Sequence, residues 1–355
     1  MTHSVALWQQ LQAKGLVFGD QPIAEYNQQP AFFLRILLGA SGWLSALFFT
    51  VFISTLFISV FSEISNIWGL GLVLCAISIW ISRTPKIPLF LEQFVFACSM
   101  TGQTLITFGV LDSSDSSQLA AAALLVLEII LFISIGIRSQ RAAALFLACG
   151  ALLWLLGQQT WLYALPVLSA AVIGLWLNNL RVYKGAAYLQ PATVGLTLGL
   201  WVTIFIILLA NSTEFSWWNI TQGHWHTHLW ITAALTSIVC LGLAWQLIRR
   251  SVQHTQLRYI ALFISIFIGL VNLKMPGLAP LCLLLCIGVK QAHTRLIWLN
   301  LLALAAYFML YYYSLNSSLL YKSILLCASG AILLIVYTLL NRYARPLITE
   351  SKTDA

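Results

Sequence analysis

Charged side chains are scarce along this 355-residue sequence. Aspartate, glutamate, lysine and arginine together make up 8% of it, whereas hydrophobic residues make up 60%, and the mean hydropathy is +0.90. Soluble globular domains carry about 25% charged residues, so the composition excludes an ordinary soluble protein. We therefore expect the chain to lie in a lipid bilayer.

Sequence signatures of catalysis are missing as well. There is no glycine-rich phosphate loop, no nucleophile elbow and no pair of carboxylates in a polar region. We therefore expect neither enzymatic activity nor a cofactor. The first 30 residues are polar and lack an apolar core, which predicts that no cleavable signal peptide is present.

The seven cysteines lack the spacing of a disulfide framework, and all of them fall within hydrophobic runs. We expect them to act as small apolar packing residues. Cys282 and Cys286 are four residues apart and would share a helix face. Ligation of a soft metal requires further thiols or histidines that the sequence does not place nearby, so no metal site is predicted at these thiols.

Long hydrophobic runs, in contrast, are abundant. They recur from Phe32 to Leu340, and most are long enough to cross a hydrocarbon core of roughly 30 Å. We predict an all-α fold, a polytopic transmembrane helical bundle of about twelve spans. The predicted spans cover residues 36–61, 64–82, 88–111, 118–137, 142–159, 161–179, 186–210, 229–248, 259–273, 278–289, 296–313 and 319–340. The ninth and tenth are short and could instead form one re-entrant hairpin broken at Pro276 and Gly277, which would reduce the count to ten.

Basic residues cluster at the ends of these runs in every second loop. This is the positive-inside pattern, which predicts that both termini are cytoplasmic. The net charge of +8 therefore reflects membrane orientation and does not indicate a nucleic-acid partner. Only Lys274 and Lys322 break the rule, because both fall on the predicted outer side.

Three regions are predicted along the chain. Residues 1–30 form a cytoplasmic amphipathic segment, which is expected to lie on membrane lipids or on the cytoplasmic loops, with docking of a partner as the alternative. Residues 31–341 form the transmembrane helical bundle. Residues 342–355 form a polar cytoplasmic tail.

Two carboxylates lie inside predicted spans, where an ionisable group costs about 2.5–3.5 kcal/mol and marks a candidate functional site. Glu128 is ten residues into the fourth span, about 15 Å deep and close to the midplane. Glu92, Ser99 and Gln103 are spaced so that they fall within about 20° of one direction on the third span. This polar stripe must face protein or water, and Glu128 could line the same cavity.

The polar residues of these two spans allow two interpretations. A carboxyl that binds and releases a proton near neutral pH is what a proton-coupled carrier requires, so Glu128 with the stripe could form a substrate, ion or proton site. The alternative is that the same groups are protonated or hydrogen-bonded and hold the helices together. A carrier needs a water-accessible path to Glu128, whereas a scaffold would seal this carboxyl against a hydrogen-bond partner.

Three histidines alternate in the segment HWHTH, in a loop predicted to lie on the outer side. If the segment is extended, His224, His226 and His228 project to one side and could share a zinc or copper ion, whereas in a helix only His224 and His228 would. Without a nearby cysteine or carboxylate, the three form only a weak metal-site candidate. The alternative is an interfacial aromatic loop, because four tryptophans accompany the histidines.

The segment YYYSLNSSLLYKS, residues 311–323, is predicted to form an outer hairpin that leads into the last span. Lys322 falls in the first turn of that span, where the helix dipole disfavours a cation by roughly 0.3–1 kcal/mol. A lipid phosphate, an acidic loop residue or an anionic ligand could compensate this charge. The alternative is a side chain that extends its ammonium group to the headgroups. Tyr311, Tyr312 and Tyr313 cover about 200° of the preceding helix, so at least one is expected to face protein.

Four segments resemble an uncharacterised bacterial inner-membrane family, the domain of unknown function forty-four-oh-one. They are LWQQLQAKGLV, LLGASGWLSALFF, MPGLAPLCLLLCIG and YYYSLNSSLLYKSILLCASG. The resemblance implies a bacterial inner-membrane location and, as partner, a smaller membrane protein with a GDYxxLxY motif, since members of this kind are often encoded beside one. It implies no activity. The positions that match the family's motif are Tyr312, Tyr313, Leu319, Leu320, Lys322 and Ser323.

Two functions are therefore carried forward. The first is a transporter-like or small-ligand-handling component that uses Glu128, Glu92, Gln103 and Lys322. The second is a non-catalytic scaffold or partner subunit of a membrane complex, in which the same residues satisfy one another.

Overall fold

The computed structural model describes residues 32–61, 67–84, 87–178, 186–210, 225–251 and 255–314, together with Gln12 and the single positions 320, 323, 324, 327, 334 and 338. The described part of the chain is helical and contains no strand. The predicted all-α class is confirmed to that extent. The N-terminal segment 1–30 apart from Gln12, the tail 342–355, and most of the last predicted span lie outside the described residues.

Eleven helices succeed one another along the described ranges. They are α1 (Phe32–Phe61), α2 (Ile67–Ser82), α3 (Leu89–Ser114), α4 (Ser117–Ser134), α5 (Arg138–Leu155), α6 (Ala164–Asn178), α7 (Ala186–Ala210), α8 (Trp225–Ser251), α9 (Thr255–Lys274), α10 (Leu278–Lys290) and α11 (Thr294–Ser314). Two short helical turns, Gly157–Thr160 and Trp161–Tyr163, lead into α6. Each of the first eleven predicted spans coincides with one of these helices within a few residues.

Seven described helices are long and apolar enough to cross a membrane, namely α3, α4, α6 with the turn before it, α7, α8, α9 and α11. Three further apolar stretches are shorter, namely Leu37–Phe49 within α1, Trp68–Ser82 within α2, and α10, which has 13 residues. At 1.5 Å per residue α10 measures about 20 Å, less than the roughly 30 Å of a hydrocarbon core. The multi-helix membrane architecture therefore stands, while the number of crossings stays a prediction.

The helices form two packed groups. In the first group α3 contacts α1, α2 and α4, and α4 contacts α5. The second group, α6 to α11, encloses a larger apolar core that contains the fully buried Leu281, Leu284 and Tyr307. Helices α5 and α7 pack against each other and join the two groups.

Glycines allow α2 and α3 to approach until their backbones touch. A Cβ atom on Gly102 would lie 2.7 Å from the carbonyl oxygen of Gly71 and 2.7 Å from the Sγ atom of Cys75. Either contact is closer than real Cβ atoms tolerate, so only glycine fits this crossing. The crossing brings the side chains of α2 directly onto the polar stripe of α3.

The acidic turn DSSDSS ends α3 and starts α4. Asp115 adopts the left-handed conformation, with φ of 49°, that terminates α3. The hydroxyl of Ser116 then accepts the backbone N–H of Leu119 at 3.3 Å and caps α4. The turn makes α3 and α4 an antiparallel hairpin, so residues equally far from it lie at equal depth.

Arginines bind the carbonyl oxygens at the opposite end of this hairpin. Arg83 donates from Nε to the carbonyl oxygen of Ser134 at 3.0 Å, and Arg141 donates to that of Ile135 at 2.6 Å. The Arg141 guanidinium also lies 4.2 Å from the ring centroid of Tyr188. Cations are favourable at a helix C-terminus, so these contacts hold the end of α4 in place.

Asn272 holds the turn between α9 and α10. It is fully buried, and its Oδ1 atom accepts the backbone N–H groups of Gly277 and Ala279, both at 3.0 Å. Its Nδ2 atom donates to the Ser237 hydroxyl at 3.0 Å and to the carbonyl oxygen of Ala233 at 3.2 Å. One side chain therefore caps α10 and ties the turn to α8.

Lys274, which is predicted to lie on the outer side, has a partner in the same region. Its ammonium lies 4.7 Å from the ring centroid of Trp230 on α8. A cation over an indole face gains about 0.5–1 kcal/mol at an exposed site. This contact accounts for one of the two exceptions to the positive-inside pattern, while Lys322, the other, lies outside the described residues.

We predict that Asn272→Ala lowers the free energy of unfolding by about 1–3 kcal/mol or more. The reason is that the substitution leaves buried backbone N–H donors without an acceptor. The measurement is the unfolding midpoint of the purified protein in detergent. Asn178→Ala is the matched control, since Asn178 is exposed and makes one local bond to the carbonyl oxygen of Gly174; it should change stability by less than about 0.5 kcal/mol. Equal losses in the two variants would contradict the capping role.

Candidate functional site

Glu128 is the most unusual polar residue in the described part of the chain. Its side chain is 0% exposed, and neither carboxyl oxygen has a hydrogen-bond partner among the described residues. Helix α4 is otherwise largely uncovered, with exposed Val126, Ile129 and Ile130 on either side of this position. Glu128 therefore projects from the narrow face of α4 that packs against protein.

The polar stripe of α3 reaches the same depth. Gln103 lies eleven residues before the end of α3 at Ser114, and Glu128 lies eleven residues after the start of α4 at Ser117. Both are thus about 16 Å from the turn that joins the two helices. Gln103 is buried at 3% exposure, and its Oε1 atom also lacks a hydrogen-bond partner among the described residues.

Cys75 on α2 links the two helices at this level. Its thiol donates a weak hydrogen bond to the carbonyl oxygen of Ser99 on α3 at 3.8 Å, and its packing with Leu131 places it beside the part of α4 that carries Glu128. Cys75 also belongs to the apolar cluster formed with Ile106, Leu131 and Ala144. We refer to Cys75, Ser99, Gln103 and Glu128 together as the Glu128 site.

Only one hydrogen bond between two side chains is described within the Glu128 site. Gln103 donates from Nε2 to the hydroxyl of Ser99 at 3.3 Å, and both residues are buried. The predicted neighbourhood of Ser99 and Gln103 on one face of α3 is therefore present in the structure. Three acceptor atoms remain without a described donor, namely Oε1 of Gln103 and the two carboxyl oxygens of Glu128.

Glu92 lies apart from this site. It is half-buried in the first turn of α3, where its Oε1 atom accepts a hydrogen bond from the Ser139 hydroxyl at 3.3 Å. Ser99 is seven residues further along α3, which corresponds to about 10 Å. Glu92 thus belongs to the same end of the bundle as Arg83 and Arg141, and a carboxylate in a first helical turn is favourable.

Glu128 is not centred on α4 itself, and its predicted depth near the membrane midplane stays a prediction. The residue lies six positions before the end of α4 at Ser134, about 9 Å, and eleven positions after its start. It is therefore nearer the end of α4 that carries the arginine contacts.

Sequence reasoning missed Gln140. This side chain is 2% exposed, and neither atom of its amide has a hydrogen-bond partner among the described residues. The predicted fifth span started at residue 142, whereas α5 begins at Arg138 and buries Gln140 in its first turn. A four-residue error in the helix boundary placed a buried amide in a loop.

The histidine segment is helical from Trp225 onward. The backbone there is therefore not the extended segment that would place alternate residues on one side, and His224 lies outside the described residues. The Nδ1 atom of His228 is hydrogen-bonded to the hydroxyl of Tyr163 at 2.8 Å. Among the described residues, no group of three His, Cys, Asp or Glu side chains could hold a metal ion.

Two tyrosines of the outer motif are described at the end of α11. Tyr312 is half-buried and Tyr313 is exposed, and their ring centroids are 5.7 Å apart. Tyr311 packs toward the core and stacks on Tyr307 at 6.3 Å, so one of the three tyrosines does face protein. Ser323 is exposed on a helix. Lys322 cannot be placed beside them, because it lies outside the described residues.

The chemistry of the Glu128 site is that of an acceptor cluster. An ionised carboxylate buried without an opposite charge or a hydrogen bond costs several kcal/mol, so the neutral carboxylic acid is the form compatible with this packing. A proton on Glu128 turns one oxygen into a donor, for which Gln103 Oε1 at the same depth is a candidate acceptor. What the site can bind is therefore a proton, a cation or a hydrogen-bond donor.

Comparison with known proteins identifies the family. The family model described as a domain of unknown function, DUF4401, matches residues 31–343. No match was found among the curated proteins or among the solved structures. Because the matched region covers nearly the whole sequence and all of the described helices, the chain belongs to the DUF4401 family.

Proposed function

We propose that this protein is a multi-pass component of the bacterial inner membrane that binds and releases a small ligand at the Glu128 site. The ligand that we propose first is a proton. The observation that carries the proposal is the fully buried carboxyl of Glu128, neither oxygen of which has a described partner. Buried polar groups in proteins are almost always paired, and exceptions need an explanation. One such explanation is a binding site, which leaves these oxygens unpaired so that it can bind a ligand and release it again.

The composition of the site supports a cationic or donating ligand. Its unpaired atoms are all acceptors, and the one described amide donor, Nε2 of Gln103, already bonds Ser99. A proton needs no additional space in this packing, whereas a larger ligand would require the helices to separate. A titratable carboxyl in such a place is what a proton-coupled transporter uses, which favours a transporter-like role.

The second candidate function is a scaffold or partner subunit of a membrane complex. The observation that favours it is the complete burial of Glu128, since a side chain that is 0% exposed has no open path to water in the described conformation. In this alternative the neutral carboxyl only packs the hairpin of α3 and α4. The smaller GDYxxLxY-type membrane protein implied by the resemblance would then supply the activity.

Chemical modification separates the two functions. We expect the apolar dicyclohexylcarbodiimide, which reacts with neutral carboxyls in apolar surroundings, to modify Glu128 and to leave a Glu128→Gln variant unmodified at this position. A water-soluble carbodiimide should modify Glu128 slowly, because a ligand-handling site opens to water. The measurement is the mass of the Glu128-containing peptide after proteolysis of protein reconstituted in lipid.

Glu92 provides the internal control, since it is partly exposed on the neighbouring helix. It should react readily with the water-soluble reagent, and Glu92→Gln should leave modification of Glu128 unchanged. If Glu92 reacts to completion while Glu128 stays unmodified by the water-soluble reagent, the ligand-handling function is refuted and the scaffold remains.

The charge pattern supports an orientation with both termini in the cytoplasm. We expect a fluorescent protein that matures only in the cytoplasm to be bright when fused to either end of the chain. A dark C-terminal fusion on a protein that is present in the membrane at normal amounts would refute this topology and the even number of spans.

A further inference from the structure

A long cavity lies between α8, α9 and α10, away from the Glu128 site. Its volume is about 350 Å³, within the roughly 300–1,000 Å³ that small-molecule sites occupy. Along α8 it extends from Ser237, beside the turn that Asn272 holds, to Ser251 at the helix end. The fourteen helical steps between these two residues correspond to about 21 Å. One leaflet of a bilayer is about 15 Å thick, so the cavity is as long as a lipid acyl chain.

Small side chains create this space. Ala244, Ala261, Gly269 and Ala279 line it at positions where larger side chains would fill the space between the three helices. The cavity is partly open to the surface of the helices, and its aliphatic walls offer water few hydrogen-bond partners. An apolar chain is the occupant that fits the wall.

The two ends of the cavity differ in charge. Lys290, which is exposed at the end of α10, is the charged residue that lines it, and it lies at the same end as Ser251. Arg249 and Arg250 precede Ser251 in the last turn of α8. Among the described lining residues, none near Ser237 is charged. A molecule that matches this cavity is therefore apolar along its length and anionic at one end.

The chain itself supplies no nearby anion in sequence. Residues 215–349 contain no aspartate or glutamate, although this stretch includes Arg249, Arg250, Lys290 and Arg295. All three helices around the cavity fall within that stretch. By the positive-inside pattern this basic end is cytoplasmic, where anionic lipid headgroups are available and attract Lys and Arg.

We propose that the cavity binds one acyl chain of an anionic phospholipid of the inner leaflet, with the headgroup phosphate beside Lys290. The small residues along the cavity form the channel for this acyl chain. The phosphate provides the negative charge that residues 215–349 lack. This site is independent of the proton chemistry proposed for Glu128.

Native mass spectrometry of the purified full-length protein tests the proposal. Delipidated protein is titrated with phosphatidylglycerol and, separately, with phosphatidylcholine of the same acyl chains. We expect one tightly bound phosphatidylglycerol. Lys290→Ala should weaken its binding about five-fold through the lost phosphate contact, and Lys290→Arg should restore it. Ala244→Phe should abolish the binding by filling the channel.

Two variants serve as matched controls. Gly242→Phe adds the same bulk to an exposed position of α8 where an added Cβ meets no atom, and Arg295→Ala removes an exposed charge that does not line the cavity. Both should bind phosphatidylglycerol as the parent protein does. If Ala244→Phe fails to fold, Lys290→Ala and its arginine rescue still decide the question.

Three results would overturn the proposal. One is equal affinity for the two phospholipids, which would mean that ordinary bilayer lipid fills the space. Another is unchanged phosphatidylglycerol binding in Lys290→Ala. The third is a single site for free oleate that phosphatidylglycerol does not compete for, which would assign the cavity to a fatty acid.

Discussion

A polar group in hydrocarbon has no water to bond, so its hydrogen bonds must be found inside the protein. Where such partners are present in the described part of this chain, they fix the positions of helices. Asn272 is fully buried and makes four hydrogen bonds, which cap α10 and tie the turn before it to α8. The same requirement explains why arginines bind the last carbonyl oxygens of α4. Each of these polar groups is used to hold helices in register.

Glu128 breaks that pattern. It is as buried as Asn272, yet neither oxygen has a partner among the described residues. Glycines at the crossing of α2 and α3 bring Cys75 onto this site and remove the room in which larger polar side chains could approach. A carboxyl held in this way is compatible with its neutral form and unfavourable in its charged form. Whether Glu128 carries a proton therefore decides whether this packing is favourable.

Much of the architecture could be predicted from the sequence, because length and hydrophobicity alone identify apolar helices in lipid. The stripe of Ser99 and Gln103 was predictable for the same reason, since a helix repeats by about 100° per residue. The place of Glu92 near one end of α3 also agrees with its position in the hydrophobic run, and its contact with Ser139 shows which helix lies beside that end.

Contacts between distant residues could not be predicted at all. Trp230 and Lys274 are far apart in sequence, and their cation–π contact depends on how α8 and α9 pack. Gln140 was missed because α5 begins four residues before its apolar run does. The cavity near Lys290 is likewise a property of three helices together, since no single run of small residues marks it.

Infrared difference spectroscopy of the protein in lipid tests the protonation of Glu128 most directly. A neutral carboxylic acid has a carbonyl stretch that an ionised carboxylate lacks. We predict such a band at neutral pH that is lost in Glu128→Gln, is kept in Glu92→Gln, and shifts in heavy water as the site exchanges its proton. A band unchanged in Glu128→Gln, or no carboxylic acid band at all, would contradict a neutral carboxyl at Glu128. A Glu128 band that never shifts in heavy water would contradict the ligand-handling function.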